Sequence, residues 1–400
     1  MHLVESFALN TGLRIGKPEI IDKFIPLAFQ DSYITLQPQG AFPCRKYDYW
    51  NEVIEILKPV LLDNHIQVVQ LGKKDEDGVV GAYDMRGKTT FCQAAYLIKN
   101  ALLHVGVDSF GIHFASGYNK KIVGLYSNML PENSGPYWSN SNDVRIHQPP
   151  REQGQRPSYK PEEDPKTINK INPEDIAESI CNLLGVSYEY PYKTLYIGKD
   201  YLSKKVELIP VTHLTNYNIL EVDSLIMRMD RYFDESVLLR QLQICKCSIV
   251  TNKPINIDIL LRNKDRIIET VFLLDDVDQD ISEYLTKLKE SGIKFFLMSN
   301  LPDDELNKIK LKYIDIAPIL PKDKYKKQDI DKILRGKNYD DIYFKTSALN
   351  VLRTGVYAGH PFTEGIKPVN LIKNIPPQKM IMDEVLWQDI NHFLILEKVK

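Results

Sequence analysis

Short apolar runs alternate with segments of helical period along the first third of this chain, and that alternation admits few architectures. Tyr33-Ile34-Thr35-Leu36 reads as a buried strand, followed by the loop Gln37-Pro38-Gln39-Gly40. Lys46-Tyr47 then leads into Trp50, Val53, Ile54 and Leu57, which share one helical face. Gln67 to Gly72 is a second strand, with an acidic turn at Asp75, Glu76 and Asp77. Gly87-Lys88-Thr89-Thr90 precedes a helical run through Ala94, Ala95, Leu97 and Ile98, and Lys121 to Tyr126 forms a further strand closed by the turn-rich segment Pro131 to Tyr137. Strands joined by helices pair in parallel, and a doubly wound parallel sheet takes its ligands beyond the carboxyl ends of its strands.

Leu102 to Ser116, L-L-H-V-G-V-D-S-F-G-I-H-F-A-S, is the most informative stretch. A strand ending at Val107 places Asp108 and Ser109 at the carboxyl edge, and the helix that follows offers unpaired amides and a positive dipole end to a diphosphate. Gly111 lets the backbone approach closely, and His113 falls in the first turn. The competing reading is an ordinary strand-to-helix turn with Asp108 or Ser109 as the helix cap.

The rest of the chain reads as a second α/β unit. Leu225 to Asp230, Cys247 to Val250, Thr270 to Leu274 and Lys294 to Met298 are buried strands, with helical patterns at Asp234 to Cys245, Ile257 to Asn263 and Ile281 to Ser291. Two domains are expected, at 1–187 and 188–400. The first includes a polar surface excursion at 139–170, and the helix Pro173 to Leu184 closes it at Gly185. The second ends in a C-terminal extension: hairpin strands at Ile342 to Leu352 and Val356 to Phe362, a helix near Asp383 to Ile390, and a strand from Phe393 to Glu397. Lys322 to Lys337 is a charged run that reads as a solvated face.

Composition narrows the function classes. A formal net charge of -2 over 400 residues argues against strong general nucleic-acid binding. No apolar run approaches the roughly 18 residues of a membrane helix, and no signal peptide is evident, so a cytoplasmic protein is expected. The 5 cysteines include no CxxC pair and fit reduced thiols; Cys245-Lys246-Cys247 reads as structural. The histidines are scattered, with no H-E-x-x-H, and the Asp-rich runs at Asp275-Asp276 and Asp303-Asp304 read as strand-end and helix-start solvation, so no metal site is expected.

The order of these elements resembles the donor-binding half of the heptosyltransferase-like glycosyltransferases (glycosyltransferase family nine, GT-B architecture). The residues that carry the resemblance are the loop ending in Lys46-Tyr47, Leu71-Gly72 followed by Glu76, Gly87-Lys88-Thr89-Thr90, the V-G-V-D-S-x-x-x-H-x-A core, and Gly135-Pro136-Tyr137. His2 to Phe7 is similar to the linker entering that half. Two departures stand out. Phe110 occupies the place of the glycine that usually follows the family's Asp-Ser or Asp-Thr pair, and the acceptor domain, which normally comes first, has no counterpart before this half.

The resemblance implies two Rossmann-like domains in GT-B style with the donor half N-terminal, a swapped order, and 188–400 on the acceptor side. It implies a nucleotide-sugar donor and no further cofactor. Lys46 would contact the diphosphate, Glu76 the ribose, the backbone near Thr89 the base, and Asp108, Ser109, Gly111 and His113 the phosphates and sugar. Each has a structural alternative: a surface lysine, a solvated turn residue, a helix cap. For the catalytic base the candidates are Asp230, at a strand end, and Asp200, in the Gly198-Lys199-Asp200 turn; strand-end aspartates also serve as caps and turn formers.

Two functions follow as expectations. One is a metal-independent, inverting glycosyltransferase acting on a glycan, a lipid-linked saccharide or a modified nucleobase. The other is a non-catalytic structural or interaction protein that retains the fold. A nucleotide-sugar epimerase would need acid and base groups on both sides of a cleft, and the sequence does not point to them.

Overall fold

A computed structural model describes residues 1–400 apart from 204, 216–223, 279, 300, 322–331, 347–348, 353–354, 359–366, 369–390 and 400. The chain divides into two compact units, Met1–Pro191 and Tyr192–Lys400.

In the first unit a short helix, α1 (Leu3–Thr11), precedes β1 (Ser32–Gln37), α2 (Trp50–Asp63), β2 (Ile66–Gln70), β3 (Tyr83–Asp84), α3 (Phe91–Asn100), β4 (Leu103–Val107), α4 (Phe110–Gly117), β5 (Lys121–Leu125), α5 (Pro131–Ser134), β6 (Val144–His147) and α6 (Pro173–Leu184). The strands lie in the order β3-β2-β1-β4-β5-β6, all parallel. The chain winds outward from β1 to β3, and α3 carries it back to β4 on the other side of β1. The order therefore reverses between β1 and β4, and a crevice opens there at the carboxyl ends.

Burial explains why these strands were readable. α2 packs with α6 and α3 with α4, and residues 103–107 of β4 are all buried. A strand covered on both faces becomes a continuous apolar run. Local signals set the helix ends. Thr90 caps α3 in a reciprocal box with Gln93, so the cap is Thr90 and not Thr89. Pro173 opens α6, and Gly185, at φ 74°, closes it in the left-handed region.

The segment expected as a surface excursion differs from that expectation in two ways. It contains β6, an edge strand of only 4 residues whose sequence, V-R-I-H, is too short and too polar to stand out. Beyond β6 it is fastened to the loops after β1 and β5. The Lys160 carbonyl accepts from Cys44 Sγ (3.2 Å) and Asn128 Nδ2 (2.9 Å), and Asn169 Nδ2 donates to Asp48 (2.7 Å). Upstream, the extended segment before β1 lies along α3 and α4, with the Lys23 amide on the Cys92 carbonyl (3.0 Å) and Lys99 paired with Asp22 (2.6 Å).

The second unit begins with β7 (Tyr192–Ile197), β8 (Lys205–Leu208) and β9 (Ser224–Arg228). It continues through α7 (Glu235–Ile244), β10 (Cys247–Thr251), α8 (Ile257–Arg262), β11 (Ile267–Leu273), α9 (Ser282–Glu290), β12 (Phe295–Ser299), α10 (Asp303–Tyr313) and β13 (Ile319–Pro321). It ends with β14 (Ile342–Thr346), β15 (Leu349–Leu352), β16 (Gly355–Ala358), β17 (Lys367–Pro368) and β18 (Phe393–Lys398). The large sheet runs β13-β12-β11-β10-β9-β8-β15-β16-β17, parallel from β13 to β15. Its Rossmann-like part therefore extends to both sides of β8.

The expected strand Ile342 to Leu352 is two strands. β14 joins β18 and β7 in a small antiparallel sheet, whereas β15 pairs with β8 and forms the hairpin with β16. The helix expected near Asp383 to Ile390 and most of the lysine-rich run lie outside the described residues. Among the described residues no helix is long and apolar enough to cross a membrane.

Candidate nucleotide site at the first sheet

The crevice between β1 and β4 is organised by a cation that the sequence did not single out. Arg45 Nη2 meets the Asp108 carboxylate at 3.1 Å, Nη1 donates to the Asp108 carbonyl (3.1 Å) and Nε to Asn128 Oδ1 (3.1 Å). One guanidinium thus ties together the loops that follow β1, β4 and β5. Gly40 makes the reach possible: a Cβ there would stand 3.1 Å from both Arg45 Cβ and the Asp108 carbonyl.

Asp108 turns inward. Its side chain is 5% exposed, and beyond Arg45 it accepts from Ser134 Oγ (3.2 Å). Burial raises its pKa, and Arg45 and His113 only partly offset that. The carboxylate so placed holds Arg45. His113 is half-buried on α4, with its pKa pushed down by burial and back up by Asp108. His2, which also influences His113, caps α1 and its Nε2 lies 3.1 Å from the Gly135 carbonyl. The Gly135-Pro136-Tyr137 segment thereby lies beside the start of α4.

Gln37 fastens the first turn of α4 from below. Its Nε2 donates to Ser109 Oγ (2.9 Å), and its Oε1 accepts the Gly111 amide (3.0 Å). Gly111 is consequently a packing glycine: a Cβ there would sit 2.5 Å from His104 Nε2 and 2.6 Å from Gln37 Oε1. Gly111→Ala should therefore destabilise the protein by about 2 kcal/mol. In a free helix alanine is the better residue, so unfolding measurements showing a stabilised variant would contradict this packing.

Lys46, the expected diphosphate contact, pairs instead with Asp77, lowering the Asp77 pKa through that hydrogen bond. Its side chain remains 34% exposed. Glu76 folds back over Gly72 at the end of β2. Burial raises its pKa, and its Oε2 has no partner among the described residues. Thr89 lies in the loop before the α3 cap.

The two candidate bases belong to the second unit. Both oxygens of Asp230 are taken by Arg228, at 2.8 Å each, and Arg228 also meets Glu207 at 2.9 Å. Asp200 sits in the turn after β7, its amide donating to the Asn391 carbonyl (2.9 Å).

Residues 11–161 match the family model for glycosyltransferase family 9 (heptosyltransferase), which shows the resemblance for that part of the chain. Among solved structures, the E. coli ADP-heptose lipopolysaccharide heptosyltransferase II is 18% identical, covering 45% of this chain and 51% of its own, with a TM-score of 0.31. A glycosyltransferase family 9 protein from Veillonella parvula is 16% identical, covering 45% and 50%, with a TM-score of 0.31. The dodecameric iron-containing glycosyltransferase TibC from enterotoxigenic E. coli is 16% identical, covering 43% and 52%, with a TM-score of 0.33. The chain spans about half the length of these proteins. No curated protein matches it.

Proposed function

We propose that the first unit binds a nucleotide sugar and that the protein transfers the sugar, with inversion and without a metal, to a glycan, a lipid-linked saccharide or a modified nucleobase. The observation that carries this reading is Arg45, held at the β1–β4 crevice beside the first turn of α4. A departing nucleoside diphosphate needs positive charge, and here the helix start, Arg45 and the half-exposed Lys46 offer it. The first-turn amides other than that of Gly111 serve the phosphates, and Ser109 and His113 stand at the same edge. Glu76, with its unpartnered oxygen, serves the ribose, and the backbone near Thr89 the base. Because Arg228 occupies both oxygens of Asp230, Asp200 is the base to test first. The described cysteines are all free, in keeping with a cytoplasmic enzyme.

The Arg228 clamp also favours the second reading, a binding or scaffold protein that retains the fold without the chemistry. Ligand stabilisation separates the two. A ligand at a hundred times its Kd raises stability by about 2.7 kcal/mol when it binds only the native state. ADP, UDP, GDP or CDP, or a sugar linked to one of them, is expected to raise the melting temperature, and Lys46→Ala to shrink the shift. A panel without any shift would leave the scaffold reading standing.

A further inference from the structure

We propose that Phe91, backed by Phe110 and Phe114, is a stacking platform for the nucleobase of a nucleoside diphosphate. The inference rests on the donor reading above and adds the group that receives the planar end of that ligand.

Phe91 is the first residue of α3 and Phe110 the first of α4. α4 begins directly after β4, and α3 follows the loop that leaves the end of β3, so both helix starts lie on the carboxyl side of the parallel sheet, and the contact with Phe110 brings Phe91 beside the start of α4. Phe91 is 67% exposed, which leaves ring surface free for a ligand. Its ring meets Phe110 edge-on at 5.1 Å, and Phe110 meets Phe114 at 5.4 Å in the same manner. Phe110 and Phe114 pack on the buried cluster that contains Ile112 and Ala115, so the backing is fixed while the outer ring is presented to solvent. Phe110 is also the residue that stands where the resembled family carries glycine.

The neighbouring chemistry selects the occupant. Beside Phe91, Thr90 and Gln93 are committed to each other in the capping box, with Thr90 N on Gln93 Oε1 at 2.9 Å. The box occupies the Thr90 hydroxyl and the Gln93 carbonyl oxygen, the two acceptors next to the ring. An apolar ring beside a helix start suits a ligand with a flat aromatic end and an anionic end. Stacking of this kind is tolerant of base identity, since every base has a π-face.

The test is calorimetric titration of the full chain with ADP, UDP, ADP-glucose and inorganic pyrophosphate, using wild type, Phe91→Ala and Phe91→Trp. Phe91→Ala should weaken ADP and UDP about tenfold, leave pyrophosphate unchanged, and be rescued by Phe91→Trp. If wild type binds ADP and Phe91→Ala binds it equally well, the platform is overturned and the donor reading survives. If ADP-glucose weakens while ADP does not, the ring serves the sugar and the proposal is overturned. Equal weakening of pyrophosphate and ADP also overturns it. If wild type binds neither, the platform and the donor reading fail together.

Discussion

Between pH 7 and pH 4 the first unit is expected to lose on the order of 3 kcal/mol of stability through His104 alone. His104 is fully buried in β4, and burial depresses its pKa from 6.5 to about 3. Its Nδ1 lies 3.0 Å from Thr35 Oγ1, and its Nε2 has no partner among the described residues. A depressed folded pKa means that the unfolded chain binds the proton first as acid is added. The stabilising contribution is therefore complete above about 6.5 and drains away as pH falls toward 3. His113 and His147 shift in the same direction, so only a difference measurement isolates His104. His104→Asn keeps a polar atom for Thr35 and cannot titrate in this range. Hydrogen exchange of the β1 and β4 amides reads the first unit by itself. The variant should begin less stable at pH 7, because it leaves space beside Gly111, and should lose about 3 kcal/mol less on acidification. Parallel pH profiles for the two proteins would show that His104 is not the acid-sensitive group.

His104 also shows what the sequence could and could not reveal. The strand around it was legible because β4 is covered on both faces, and α6 was legible because proline and glycine mark its ends. The parallel sheet followed from the alternation of elements, but the place where its strand order reverses, between β1 and β4, did not. β6 escaped because an edge strand of 4 residues needs little apolar surface. The division of 342–352 escaped because β14 and β15 choose partners far away in sequence, β18 in one case and β8 in the other. Within the site, Asp108 was identifiable as the strand-end residue, but its direction was not; pairing with Arg45 and Ser134 turns it inward. Lys46 and Arg45 are adjacent, and only the turn at Pro43–Arg45 decides which of them faces Asp108. Gly40 was the available signal, since a side chain there would crowd Arg45.

Arg45→Ala is expected to destabilise the first unit by about 3 kcal/mol at pH 7, because it strands the buried Asp108 carboxylate and releases Asn128. The deficit should depend on pH with a definite sign. Burial already lifts the Asp108 pKa above the ordinary aspartate value, and removing the guanidinium lifts it further. For a carboxyl whose folded pKa is raised, stability falls as pH rises through the folded value and is regained when the group is protonated. The gap between wild type and Arg45→Ala should accordingly narrow as pH approaches 4, where the variant can keep Asp108 neutral. Arg45→Lys should recover only part of the loss, since an ammonium cannot span Asp108 and Asn128 with a planar fork. Asp108→Asn introduced into Arg45→Ala should restore more stability than Asp108→Asn removes from wild type, giving a coupling energy above about 1 kcal/mol. If the gap stays constant with pH and the coupling vanishes, Arg45 is a surface residue resting on the loop. If both appear, nucleoside diphosphate binding should fall in Arg45→Ala even under conditions where the variant is fully folded, because the same guanidinium that neutralises Asp108 holds the three strand-end loops in register around the anion.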